Sequence, residues 1–213
     1  MDSSKQIEIW SDIVCPFCYI GKHQVEEALL SFPEARIELI WRSYQLNPDE
    51  KTDPTLNSTD HLAQSKGWTK EQTEQAQEMV CRMGESCSID FKFGTVKVIN
   101  SLDGHRLLHY SKQFGLQTKL KERLFKAHFE EGKNVADHAV LVQIAVELGM
   151  MGEDVDQMLG SRKFIQEVHE DLIAGVSLGL RGVPYFVFDG RFAVSGAQGV
   201  EGFRNAISEM LKS

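Results

Sequence analysis

The chain has 213 residues, 42% of them hydrophobic and 25% charged, with a formal net charge of −8 at pH 7. That length supports one sizeable core with room for a smaller one, and the acidic balance, with no basic run, excludes a nucleic-acid surface. No uninterrupted apolar run reaches the roughly 20 residues that span a bilayer, and Met1-Asp2-Ser3-Ser4-Lys5-Gln6 lacks the basic and apolar regions of a secretion signal; a cytoplasmic protein without membrane contact is expected.

Ile7-Glu8-Ile9-Trp10-Ser11 alternates apolar and polar residues and predicts a strand. Cys15-Pro16-Phe17-Cys18 follows, at the head of a stretch with Tyr19, Ile20, His23, Val25, Ala28 and Leu29 in helical spacing, which should stop before Pro33. Two thiols at i and i+3 on a first helical turn have α-carbons about 5–6 Å apart, within disulfide reach. The unpaired amides and positive dipole end of that turn favour a thiolate, and Pro16 fits where a missing N–H costs nothing. Such a pair cycles between dithiol and disulfide. With only four cysteines in the chain, a C-x-x-C beside a β-α pattern reads as catalytic rather than as part of a stapled scaffold. Arg36 to Tyr44 predicts a second strand, so the opening β-α-β unit implies a parallel pair with a right-handed crossover.

Asn47 to Asn57 is polar and carries Pro48 and Pro54, which argues against regular structure. From Ser58 to Gly179 the chain reads almost wholly helical. Thr69-Lys70-Glu71-Gln72 predicts a capped helix running towards Gly84. Further helices are expected over Ser101–Phe114, closed by Gly115, over Asp137–Leu148, closed by Gly149, and over Arg162–Leu178. Strands return at Val183–Phe188 and Arg191–Val194, joined by Asp189-Gly190, a two-residue hairpin signal. A last helix is expected over Gly199–Leu211. The sum is an α/β thioredoxin-like fold with an all-helical insertion domain: residues 1–57 and 180–213 form the thioredoxin-like domain, and residues 58–179 the insertion.

Trp10-Ser11-Asp12, Cys15-Pro16-Phe17-Cys18-Tyr19-Ile20-Gly21, Leu46-Asn47-Pro48-Asp49, Asn100-Ser101, His105-Arg106-Leu107, Gly182-Val183-Pro184 and Ser195-Gly196-Ala197-Gln198 occur in one order along nearly the whole chain. In this the chain resembles the DsbA-like branch of the thioredoxin superfamily, and specifically its FrnE-type dithiol–disulfide oxidoreductases. The resemblance implies exchange with protein or small-molecule thiols and disulfides, without a resident cofactor, and often a homodimer. The related 2-hydroxychromene-2-carboxylate isomerases and kappa-class glutathione transferases share the architecture but typically carry Ser where this chain has Cys15, and they bind glutathione. Glutathione-dependent isomerisation or transfer is therefore the alternative activity, and a redox-sensing chaperone or binding module the non-catalytic one.

Cys15, at the helix end, is the expected nucleophile, and Cys18, one turn further in, the resolving thiol. Pro16 and Phe17, which add no charge, and Val183 and Pro184 are expected to contact substrate. Proline at a strand's first residue is compatible with a trans bond; in thioredoxin-like folds the position holds a cis-proline facing the cysteines, so that Val183 can pair with an extended peptide. An intermediate reduction potential is expected. Thioredoxins proper bury an acid six residues before the first cysteine, and here that residue is Ile9. Asp12 can replace it as proton acceptor but reads more simply as an exposed turn or cap residue. Trp10, Asn47, Asn100 and Ser195 complete the candidate surroundings; Asn47 and Asn100 read equally as caps. The amides around Ser195 can hold a carboxylate such as that of glutathione, or simply begin a helix.

Cys81 and Cys87 are too far apart on a continuous helix to bridge unless Gly84 breaks it; they read as small buried hydrophobes. No metal is expected. Cys15 and Cys18 have no second C-x-x-C as partner, His23 points elsewhere on the same helix, and His105 and His109 lack an H-E-x-x-H frame.

Overall fold

The computed structural model describes residues 5–212; residues 1–4, which hold most of the stretch read as lacking a secretion signal, lie outside the described residues. In chain order the elements are β1 (Lys5–Ser11), α1 (Pro16–Leu29), β2 (Ile37–Ser43), α2 (Ser58–Lys66), α3 (Lys70–Glu85), a 3-10 turn (Phe93–Thr95), α4 (Leu102–Lys112), α5 (Gln117–Phe129), α6 (His138–Glu147), α7 (Gly152–Leu159), α8 (Ile165–Ser177), β3 (Tyr185–Phe188), β4 (Phe192–Ser195) and α9 (Gly199–Leu211). They form two units: Met1–Leu46 with Val168–Ser213, and Asn47–Glu167.

The first unit is built on a sheet of order β2-β1-β3-β4. β1 runs parallel to β2 and antiparallel to β3, as the predicted crossover requires, and β3 pairs antiparallel with β4. The alternation in β1 sorts its side chains between two faces. Ile7 and Ile9 join Phe186 and Phe188 in the core, with Val25 and Ala28 of α1 and Phe203, Ile207 and Met210 of α9. Trp10 packs elsewhere, with Leu180 and Val187. Its indole N–H donates to the Asp171 carbonyl of α8 at 2.7 Å. The hairpin turn holds Asp189 at φ 51° and Gly190 at φ 67°, the two left-handed residues that an Asp-Gly turn supplies.

The second unit is helical. Thr69 and Gln72 close a reciprocal capping box at the start of α3, and Asp137 caps α6. The buried Arg106 guanidinium donates to the carbonyls of Met158, Leu159, Ser161 and Lys163 and pairs with Asp103, which ties α4 to the end of α7. The stretch after α3 departs from the helical expectation. Beyond Gly84 the chain turns back, with the Ile89 amide on the Gly84 carbonyl. Phe91 then stacks on Phe93 and meets Phe129 edge-on, each at 5.3 Å between ring centroids.

The unit boundaries fall at 46/47 and 167/168 rather than at the expected 57/58 and 179/180. The polar segment after Leu46 goes with the helical unit because Asp53 bridges Val98 and the Asn100 amide donates to the carbonyls of Pro48 and Glu50. Most of α8 goes with the sheet because the Asp171 carboxylate accepts the Ser43 backbone N–H at 2.7 Å.

Candidate active site

β1 delivers the chain to a three-residue loop, Asp12-Ile13-Val14, and Cys15 then caps α1 with extended backbone (φ −101°, ψ 111°) and Pro16 behind it in the first turn. The Cys15 amide donates to the Asp12 carbonyl and the Cys18 amide to the Cys15 carbonyl. Both cysteines are free thiols. Cys15 is 4% exposed and Cys18 1%, while the neighbouring Phe17 ring is 40% exposed. The first cysteine is thus buried beside a half-exposed aromatic ring.

β3 supplies the opposite wall. The Val183–Pro184 peptide bond is cis, and the Cys15 thiol donates to the Val183 carbonyl at 3.7 Å. Gly21 explains how α1 comes so close: a Cβ there would stand 3.1 Å from Pro184 Cγ and 3.2 Å from Phe186 Cζ. The Gly196 amide donates to the Pro184 carbonyl at 2.8 Å, so the exposed Ser195, paired with Tyr185, borders the same wall.

The Cys15 thiol is pushed well above its ordinary pKa, first by its hydrogen bond with Cys18 and next by burial, with the charge of Asp12 adding to both. The thiolate preference expected of a helix N-terminus is thus outweighed in this dithiol by burial and neighbours.

Asp12 is the largest correction. It is completely buried rather than an exposed turn or cap residue. Its carboxylate accepts the Leu46 backbone N–H at 2.7 Å and the Val14 N–H at 3.4 Å, so it joins the end of the β2 segment to the loop carrying Cys15. A charge so enclosed is tolerated because backbone donors satisfy it. The sequence signal was the Leu46-Asn47-Pro48-Asp49 motif, whose first residue proves to be an anchor point of the cysteine loop.

The other candidates separate. Trp10 is buried between β1 and α8 and holds Asp171. Asn47 and Asn100 belong to the helical unit: Asn47 donates to Glu50, and Asn100 fixes the segment after Leu46 while accepting the Leu102 N–H. His23 packs edge-on against Tyr19, and His105 is buried in α4. Cys81 and Cys87 are free and half-buried. Among the described residues no group of three or more His, Cys, Asp or Glu is placed to hold a metal ion, and no helix is long and apolar enough to cross a membrane.

Residues 6–208 match the family model of the DSBA-like thioredoxin domain. A probable DsbA oxidoreductase from Streptomyces coelicolor is 31% identical, with a TM-score of 0.91 over 98% of this chain and 91% of that one. An uncharacterized protein of Bacillus subtilis, YwbO, is 27% identical over 209 residues, 97% of each chain. The cytosolic disulfide reductase DsbM from Pseudomonas aeruginosa, in its structure with GSH, has a TM-score of 0.70 at 17% identity, over 98% of this chain and 100% of that one.

Proposed function

We infer, because this chain belongs to the DSBA-like thioredoxin domain family and is an oxidoreductase, that Cys15 and Cys18 are its redox pair and exchange electrons with thiols and disulfides of proteins or small molecules. The observation that carries this reading is a pair of free thiols on the first turn of α1, the first of them donating a hydrogen bond to the carbonyl of Val183 beside the cis Pro184 bond. In the reducing direction the Cys15 thiolate attacks a substrate disulfide; the substrate S–S bond breaks, a Cys15–substrate disulfide forms, and the first substrate thiolate leaves and takes up a proton. Cys18, after losing its proton, attacks Cys15 and releases the second substrate thiol. Two electrons and two protons pass to the substrate, and the pair ends as a disulfide. Two molecules of a low-molecular-weight thiol such as glutathione are proposed to return it to the dithiol in the cytoplasm: the first forms a mixed disulfide with the protein, and the second attacks that mixed disulfide and leaves with the first as their own disulfide. Pro16, Phe17, Val183 and Pro184 are the proposed substrate contacts, and the FrnE-type enzymes the proposed branch.

The test is turnover of insulin or a model disulfide with a dithiol as electron source. Cys15→Ser abolishes it, and Cys18→Ser accumulates mixed disulfides. A Cys15→Ser protein that kept most of its activity would remove Cys15 from the mechanism.

A further inference from the structure

Trp10 lies near the end of β1, five residues before Cys15, and the exchange reaction written above gives it no part. α8 holds it closely. Its indole N–H donates to the Asp171 carbonyl at 2.7 Å. Gly175, one turn further along α8, makes room for the ring: a Cβ there would stand 2.9 Å from Nε1 and 3.0 Å from Cδ1. The same Cβ would meet Leu180 Cδ1 at 3.4 Å, and the Leu180 amide is tied back to the Gly175 carbonyl. Trp10, Leu180 and Val187 form a cluster separate from the core under α1 and α9, and Val183, Tyr185 and Tyr44 pack against it. Trp10 is also the strand partner of Tyr185, two residues beyond Val183. The side chain of Val183 is therefore fixed by the indole cluster, while its carbonyl accepts the Cys15 S–H at 3.7 Å.

We propose that Trp10 is a positioning residue of the redox site: seated on α8 by Asp171 and Gly175, its indole supports Val183 and so holds the Val183 carbonyl as the acceptor of the Cys15 S–H. This rests on the redox reading of Cys15 and Cys18 and extends it to the residues that set the wall opposite them. The acceptor serves one form of the pair. A carbonyl accepts from the thiol but has nothing to accept from a Cys15–Cys18 disulfide, so the contact favours the dithiol. The thiol is a weak donor, and a contact of that strength does not repay the entropy of ordering a loop. The acceptor must therefore be held in advance, and the indole cluster does so.

The experiment equilibrates the whole protein with glutathione and glutathione disulfide, quenches with acid, and counts the dithiol and disulfide forms by mass spectrometry. One glutathione disulfide oxidises the dithiol to the Cys15–Cys18 disulfide and leaves as two glutathiones, so the populations give the equilibrium constant. A net hydrogen bond changes such a constant by a factor of about two to ten. Trp10→Phe removes the indole N–H and trims the ring; with a weak S–H donor the constant should move towards the disulfide by about two- to fivefold. Gly175→Ala adds a methyl group against the indole and should move it the same way, although alanine is the better helix former. In the Trp10→Phe background it should add little, because the nitrogen it meets is gone. A residue that merely stabilises the fold supports dithiol and disulfide protein alike and leaves the constant where it is. Ile207→Ala, in the core under α9, should behave in that way. An unchanged constant in either variant, a shift towards the dithiol, full additivity of the two, or an equal shift in Ile207→Ala overturns the proposal. If Trp10→Phe does not fold, Gly175→Ala decides alone. Failure of the redox reading looks different: persistent turnover in Cys15→Ser, or no Cys15–Cys18 disulfide at any glutathione ratio, removes the pair and the proposal with it.

Discussion

Gly21 sits three residues after Cys18, on the part of α1 that approaches Pro184 and Phe186. Alanine there gains helix propensity, about 1 kcal/mol over glycine, but must displace two ring atoms by a few tenths of an ångström. Valine adds two methyl groups to the same crowded place. Gly21→Val should therefore destabilise the protein by about 1–3 kcal/mol, the usual cost of overpacking, and slow disulfide turnover by pushing the Cys15 turn away from Val183; urea unfolding and the insulin assay read the two effects separately. The same neighbourhood fixes a pH dependence. Since Cys18 and burial push the Cys15 thiol well above its ordinary pKa, its thiolate fraction keeps rising through the range where a free thiol has already ionised. Alkylation of Cys15 should climb with pH beyond the plateau of free cysteine, and an early plateau would show that the thiol is not held up.

The elements differ in how openly the sequence declares them. β1, β2 and the Asp189-Gly190 hairpin follow from alternation and turn chemistry, and α3, α6 and α9 from caps and periodicity; α9 begins and ends at the expected residues, Gly199 and Leu211. What the sequence hides is which element a segment leans on. Val168, Asp171 and Gly175 of α8 are buried along one face, yet nothing local tells that Asp171 will receive the Ser43 N–H and the Arg42 guanidinium or that Gly175 makes room for the Trp10 indole. For the same reason Asp12 looked like a solvated turn residue: its partner amide on Leu46 lies 34 residues on and becomes visible only once β2 is laid beside β1. The placement of the cysteines at the head of α1 and of Pro184 just before β3 was legible because the strand, helix and hairpin signals around them are local. Asp171 gives the element-scale test. Asp171→Ala leaves a buried backbone N–H without its acceptor and should cost about 1–3 kcal/mol. Amide exchange at Ser43 and Trp10 should quicken before that in α3 or α5.

At the scale of the whole molecule each of the two units buries an apolar core, and the helical one also encloses charge. Apolar burial holds the sheet unit between its strands, α1 and α9, and the helical unit around Leu120, Leu124, Phe125 and Ile144; the helical unit adds an enclosed cation, Arg106, shared by four carbonyls and Asp103. Arg106→Met removes every one of those donors and should destabilise the helical unit by about 3–5 kcal/mol, the range for a broken buried ion pair. Circular dichroism of the variant should show early loss of helix on heating. The sheet unit is also discontinuous: Cys15 and Cys18 come from its first segment and Val183 from its second, with all of Asn47–Glu167 made in between. On a ribosome adding about 5–20 residues per second, the two thiols emerge on the order of ten seconds before the strand that shields them. For that interval the nascent chain carries an uncovered dithiol, open to any oxidant or stray cysteine, and the cell's reducing power rather than the protein's own architecture must keep it intact until synthesis ends.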